Sequence, residues 1–370
     1  MYVLFATVII VLIITIVLGK SKRKFAFWKN KGVPYVKPVP IFGNYFQYIL
    51  QKKYLGQVTQ ELCQKFPNEP YFGTFYGTEP TLIVQSPEVI KQIFTKDFYY
   101  FNGREISNYS TRETITQNIF FTYGDRWKVI RQNVTPLFSS AKMRSIFYLI
   151  KKCALELENM LDIETSRSDV QEVRSLMIRY TMDCIGSCAF GIEMNVMQSD
   201  SKDNIFRIMG DTIFDTSFFS GFKFVARSIW PKIFYALKLR YFSAETDKFF
   251  HDMLSNVFKE RNYKPSTRND FIDYVLNFCH YKYVVGDSIT NPRTGESSKV
   301  RLEVDDKFLI GMCVAFFAAG FQTSATTLCF TLCELAKNEE VQKLAHDEID
   351  TYYIVITMSS VMKALMSYLI

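Results

Sequence analysis

The chain has 370 residues, 48% hydrophobic and 16% aromatic but only 22% charged, which excludes a disordered tail, a collagen-like fibre and a small disulfide scaffold. Lysine plus arginine number 44 against 37 aspartate plus glutamate; six of the positives (Lys20, Lys22, Arg23, Lys24, Lys29 and Lys31) share one acid-free stretch. Without them the balance is 38 to 37, too even for the basic footprint of a nucleic-acid binder, so no nucleic-acid partner is expected.

In chain order, the first feature is a run of seventeen uncharged residues from Tyr2 to Leu18. At about 1.5 Å per residue it reaches roughly 25 Å, enough for a thin bilayer such as the endoplasmic reticulum. Only Met1 precedes it, so the basic start of a cleavable signal is missing, and no A-x-A-like site follows. The positive charges come after the run, which places the N-terminus in the lumen and the body in the cytosol. Residues 1–19 are therefore expected to be a single-pass signal anchor, with membrane lipid as a partner; an uncleaved secretory signal is the alternative.

In a cytosolic body the eight cysteines are expected as free thiols. Cys184/Cys188 and Cys329/Cys333 lie at i, i+4 in apolar helical contexts and read as small hydrophobes. The three histidines show no metal-ligand spacing. The sequons at Asn108 and Asn133 are expected to stay unglycosylated.

Residues 20–44 make a basic and proline-rich hinge, with Pro34, Pro38, Pro40 and Gly43 close together. Prolines this dense hold the chain extended and stiff. Tyr71–Tyr76 and Thr81–Val84 then predict a hairpin around a Gly77–Pro80 turn. Ser86-Pro87 predicts a helix start, serine as N-cap and proline at the first helical position. Helical periodicity follows near 125–160, 170–190, 203–215, 243–262 and 305–336. Residues 211–243 crowd ten aromatic side chains into a segment broken by Gly221 and Pro231. A core cluster is one reading; a surface dipping into the bilayer, or a roof over an apolar pocket, is the other. Residues 284–302 read as an exposed polar loop.

Two motifs could carry chemistry. Trp127 and Arg131 lie at i, i+4 on one helix face, so an indole N–H and a guanidinium converge, a donor pair suited to a carboxylate. Further on, Ala315–Thr327 (AFFAAGFQTSATT) occupies an apolar core helix that opens on Glu303, Asp305 and Asp306, acids favoured by its dipole. Gly320 weakens that helix, and Thr323 can bond back to the carbonyl of Ala319, loosening the turn. Beside Phe316 and Phe317, such a turn offers a hydroxyl to a small polar guest in an apolar cavity.

The anchor, the proline hinge, W-x-x-x-R and then A-G-x-x-T occur in the order found in the membrane-bound cytochrome P-450 family. Thr181–Gly191 (TMDCIGSCAFG) and Ala318–Leu328 (AAGFQTSATTL) also resemble its microsomal members, most of all the insect group that oxidises plant toxins and insecticides. The resemblance runs from residue 1 to about 350. It implies a mainly α fold with a small β-sheet and a haem-dependent monooxygenase of hydrophobic small molecules. Trp127 and Arg131 would hold a haem propionate, Ala319 and Gly320 would make room for dioxygen, and Thr323 would steer protons. Phe316 and Phe317 would line the substrate side. Electrons would come from an NADPH-dependent flavin reductase on the same membrane face, whose acidic surface Lys128 could meet.

The chain departs from the family in two places. An acid usually precedes the threonine, and here Gln322 does; an amide can orient water but releases no proton at neutral pH. No F-x-x-G-x-x-x-C-x-G, the loop that carries the iron's thiolate, occurs anywhere. Glu164-Thr-Ser-Arg167 fits the family's E-x-x-R literally and is read as coincidence. Residues 45–350 are thus expected as a partial catalytic domain lacking its haem-ligand region, and 351–370, with Lys363 as the only charge, as an aberrant apolar tail. A haem-free, inactive, membrane-anchored product is the competing expectation.

Overall fold

The computed structural model describes residue 15, residue 19 and residues 21–104, 108–198, 203–291 and 293–368, so the expected anchor lies almost wholly outside the described residues. These residues form two units: those of Met1–Ser145 with Met209–Ala315, and those of Ile146–Ile208 with Phe316–Ile370.

In the first unit the predicted hairpin is present as β1 (Tyr71–Tyr76) and β2 (Glu79–Val84), antiparallel with Tyr76 opposite Glu79. Its turn is Gly77-Thr78, two residues tighter than expected, with Gly77 at φ +61°, a conformation that favours glycine. Pro80 is tolerated because β2 has no further partner strand among the described residues. The proline hinge runs along β1: the Gly73 N–H donates to the Pro34 carbonyl (2.7 Å) and the Asn44 N–H to the Phe75 carbonyl (2.8 Å). Trp28 donates its indole N–H to the Thr74 carbonyl at 2.8 Å. Its ring lies 2.4 Å from where a Cβ on residue 73 would stand, so only glycine fits there. Behind the hairpin, α1 (Leu55–Cys63) packs Val58 and Leu62 against Tyr45 and Phe72.

The expected helix over 125–160 is two helices, α2 (Gly124–Val134) and α3 (Ser140–Arg167). Pro136 confines Thr135–Phe138 to a 3₁₀ turn, and Ser139 is extended at ψ 149°. After α4 (Val173–Ile185) and α5 (Ile205–Ile213), the aromatic segment folds as α6 (Phe218–Ile229) and α7 (Pro231–Ala236). Its aromatics divide between both readings. Phe234 is buried and Trp230, Tyr235, Tyr241 and Phe242 are half-buried, whereas Phe214, Phe222, Phe224, Phe218 and Phe219 are exposed, the last two by 64% and 62%. A buried network pins the segment. Arg227 donates through Nε to the Tyr235 hydroxyl (2.9 Å), which donates to Glu113 Oε1 (2.8 Å), and Glu113 Oε2 accepts the Tyr241 N–H at 3.0 Å.

After α8 (Ala244–Glu260) come two elements that periodicity did not predict. One is α9 (Phe271–Tyr281), joined to α8 by Arg261, which bridges Asp270 (2.7 Å) and Asp273 (2.6 Å). The other corrects the exposed loop expected at 284–302: β3 (Tyr283–Asp287) and β4 (Lys299–Glu303) form a second antiparallel hairpin. These strands are short and polar, and α2 supplies what their sequence lacks: Asn133 donates to the Val285 carbonyl (3.0 Å), and Gln132 accepts the Asp287 N–H (2.8 Å).

The long apolar stretch is α10 (Asp306–Gly320) followed by α11 (Gln322–Lys337), and α12 (Glu339–Tyr368) follows. Asp305 caps α10 by accepting the Phe308 N–H at 2.8 Å. By length and composition 306–337 could cross a membrane, yet 308–314 are all buried in the protein, the signature of a core helix. In the second unit, Asp183 accepts the Val196 and Met197 N–H groups (3.0 and 2.9 Å), and burial nevertheless raises its carboxyl pKa.

Gly73→Ala is expected to push Trp28 off β1 and destabilise the fold by about 1–3 kcal/mol, as overpacking does. Denaturant unfolding should show the loss, and trypsin should cut faster at Lys29 and Lys31. Unchanged stability and cleavage would contradict the reading.

Candidate functional site

One candidate group of residues is on α2. The chain enters it extended at Tyr123, and Asn102 accepts the Gly124 N–H at 3.0 Å. Val129, Ile130 and Val134 form its buried face. Trp127 and Arg131 stand one turn apart on another face, Trp127 half-buried with its ring 5.7 Å from Phe98, Arg131 exposed. Among the described residues, neither the indole N–H nor the guanidinium has a hydrogen-bond partner. Both line an open cavity of about 630 Å³ with Phe98, Lys96 and Ile289. Two unspent donors over an apolar shelf suit an anionic group carried on a flat apolar body.

Lys128, between them in sequence, points elsewhere: half-buried, it donates to the Ser288 carbonyl at 2.7 Å. Arg126, which sequence reading passed over, is half-buried with its charge 5.7 Å from the Phe308 ring centre. Burial lowers its pKa, and its Nε has no hydrogen-bond partner. Its place three and four residues before Val129 and Ile130, on the buried face of α2, is the signal that could have found it.

A separate candidate group is the junction of α10 and α11. The helix stops at Gly320, Phe321 sits at φ −91°, ψ −55° without a side-chain cap, and α11 restarts at Gln322. The expected loosened turn is thus a break between two helices. Thr323 Oγ1 donates to the Ala319 carbonyl at 2.5 Å, the back-bond that its spacing suggested. Thr326, Thr327 and Thr331 repeat that pattern on the next turns (2.8, 3.0 and 2.9 Å). Ala319 and Thr323 are exposed, Gln322 is half-buried, and the Ile185 side chain fills the place of a Cβ on Gly320, Cδ1 lying 2.4 Å from it. Phe317 is fully buried, 5.8 Å from the Phe190 ring and 4.9 Å from Phe321, whereas Phe316 is half-buried.

Cys153 and Cys313 are buried; Cys333, expected as a buried hydrophobe, is exposed. Glu164 pairs with Arg179 (3.1 Å), a partner on α4 that a local E-x-x-R reading does not reveal.

Haem would bring carboxylates and an iron to this chain. The unpartnered donors of Trp127 and Arg131 fit the carboxylates. The iron is another matter: it takes one axial thiolate, and the F-x-x-G-x-x-x-C-x-G loop that carries it in the family does not occur among these 370 residues. The residues present therefore fit the rim of the group and not its axial ligand.

Gly320→Ala is expected to cost about 1–3 kcal/mol, because the new methyl meets Ile185. Ile185→Ala in the same chain should recover part of that loss, leaving only ordinary contact at 3.6 Å from the Ile185 Cβ. Additive losses in the double variant would show that the two residues do not compete for space.

The family model described as Cytochrome P450 matches residues 33–369. Cytochrome P450 6B2 of Helicoverpa armigera is 34% identical over 346 residues, 94% of this chain and 66% of the relative. Cytochrome P450 6j1 of Blattella germanica is 33% identical over 328 residues, 88% and 62%. Probable cytochrome P450 6w1 of Drosophila melanogaster is 32% identical over 336 residues, 90% and 63%. The chain spans about two thirds of the length of these curated relatives. It belongs to the cytochrome P450 family, and that membership implies haem as cofactor.

Proposed function

We propose that the protein serves haem-dependent monooxygenation of hydrophobic small molecules, plant toxins and insecticides included, using dioxygen and electrons from NADPH through a flavin reductase. The observation that carries this is the unpartnered donor pair of Trp127 and Arg131, on a chain that also carries a broken apolar helix with Thr323 at its restart. In this reading Trp127 and Arg131 bind a haem carboxylate. Ala319 puts only a methyl beside the break, whereas the room expected at Gly320 is taken by Ile185; half-buried Phe316 adds apolar surface for substrate, while Phe317, expected to line it as well, is fully buried and lines no open surface. Thr323 holds its hydroxyl proton on the Ala319 carbonyl and leaves its oxygen free to accept from water. Gln322 orients that water without supplying a proton. Bound haem would supply the oxidising centre, and the thiolate it needs is not among the described residues of this chain.

A second reading, a haem-free anchored protein without activity, is favoured by the missing cysteine loop alone. Haem titration of the chain decides between them. Under the first reading haem binds with a Soret shift, and Trp127→Phe or Arg131→Met each weaken it about tenfold, the effect of a lost charge-assisted hydrogen bond. No binding, or binding indifferent to both substitutions, favours the second.

The same reading seats the body at the endoplasmic reticulum membrane, on its cytosolic face. Phe218 and Phe219, with Phe214, Phe222 and Phe224 also exposed, form an apolar surface beside Lys223, whose ammonium lies 5.2 Å from the Phe219 ring centre. Rings with a cation at their edge suit the headgroup boundary. Tryptophan at position 219, introduced as Phe219→Trp, is expected to be quenched by brominated lipid in vesicles; fluorescence insensitive to the lipid would place this surface in water.

A further inference from the structure

We propose that Thr181 and Ile185 of α4 are positioning residues that set the break between α10 and α11 from behind, and through it the orientation of Thr323. The inference rests on the functional reading above.

A helix restart ordinarily takes its direction from an N-cap side chain. Phe321 offers none, so nothing local fixes where α11 begins. What fixes it comes from 140 residues away: Thr181 Oγ1 lies 3.0 Å from the Phe321 carbonyl oxygen, in a buried contact. That carbonyl also accepts the Ala325 N–H, the first bond of α11, at 2.9 Å. A carbonyl has two lone pairs and can accept both. Thr181 has one proton, and the Met177 and Ile178 carbonyls of its own helix (2.8 and 3.3 Å) compete for it. The bond to Phe321 thus forms when the hydroxyl turns its proton from the Met177 and Ile178 carbonyls towards Phe321, and it is the one of the three that joins two helices.

Ile185 follows one turn later on the same face of α4 and occupies the space that any side chain at residue 320 would need. Thus residues one turn apart on one helix grip adjacent residues of the break, a polar contact on Phe321 and an apolar one on Gly320. Phe190 extends the line, its ring 5.8 Å from Phe317. Ala319 and Thr323, which share the 2.5 Å back-bond, stay exposed. Moving the grip moves their carbonyl and hydroxyl, because the restart of α11 places Thr323 two residues after Phe321. Site groups held by packed neighbours keep their geometry better than groups on free loops.

Hydrogen exchange on the full chain, without haem, tests this. Thr181→Val keeps the shape and removes the hydroxyl; it is expected to speed exchange of the 321–325 amides about five- to tenfold, the effect of one lost hydrogen bond. Exchange over 271–281 should not change. Thr181→Ser, which keeps the hydroxyl, should exchange like the wild type. Should Thr181→Val not fold, Ile185→Ala carries the decision, with faster exchange expected at 320–323. Wild-type exchange in Thr181→Val, serine behaving like valine, or no change in Ile185→Ala would each overturn the proposal. None of these readings needs haem, so failure of the haem titration would leave them standing, and the reverse.

Discussion

The contact between Gly320 and Ile185 is the constraint on which the candidate chemistry depends. A straight apolar helix through 306–337 would be an ordinary core element, with every carbonyl spent on its own ladder. The missing side chain at Gly320 lets Ile185 close in, the helix stops, and Thr323 turns its hydroxyl onto the Ala319 carbonyl. The threonines after it repeat that bond turn by turn. One glycine, one isoleucine and a run of back-bonded hydroxyls shape this break, and Ala319 and Thr323 stay exposed beside it.

The first unit uses the same device for a different end. At Gly73 a missing side chain admits Trp28 onto β1, so the hinge after the expected anchor is fastened to the hairpin instead of swinging free. Glu113 gathers Tyr235, Tyr241 and, at 4.0 Å, Arg227, which holds the buried half of the aromatic segment and leaves the other half exposed. Buried charge of this kind is stable only when fully hydrogen-bonded, and Glu113 meets that condition through two N–H groups and a phenol.

Much of this was legible in the residues. The hairpin at 71–84, the cap at Ser86, the acids opening α10 and the loosened turn at Thr323 all follow from local rules that tertiary packing then respects. The division at Pro136 was written in the proline and lost only because apolar periodicity continued on both sides of it. The second hairpin was not legible: its five-residue strands carry polar and glycine positions, and their hydrogen bonds are completed by Asn133 and Gln132 of a distant helix. The pairing of Arg179 with Glu164 and the grip of Thr181 on Phe321 were hidden for the same reason, since each joins residues far apart in sequence. Family resemblance supplied the likeness to haem proteins, which spacing alone could not.

In the proposed function Trp127 and Arg131 hold haem by a carboxylate, while no F-x-x-G-x-x-x-C-x-G loop among these 370 residues offers a thiolate to its iron. A reduced, carbon-monoxide-treated difference spectrum of the chain, expressed in membranes with haem supplied, tests that most directly. The account predicts a carbon-monoxide adduct without the red-shifted Soret band that thiolate ligation gives. A red-shifted band would mean that one of the chain's own eight cysteines reaches the iron, and would contradict it.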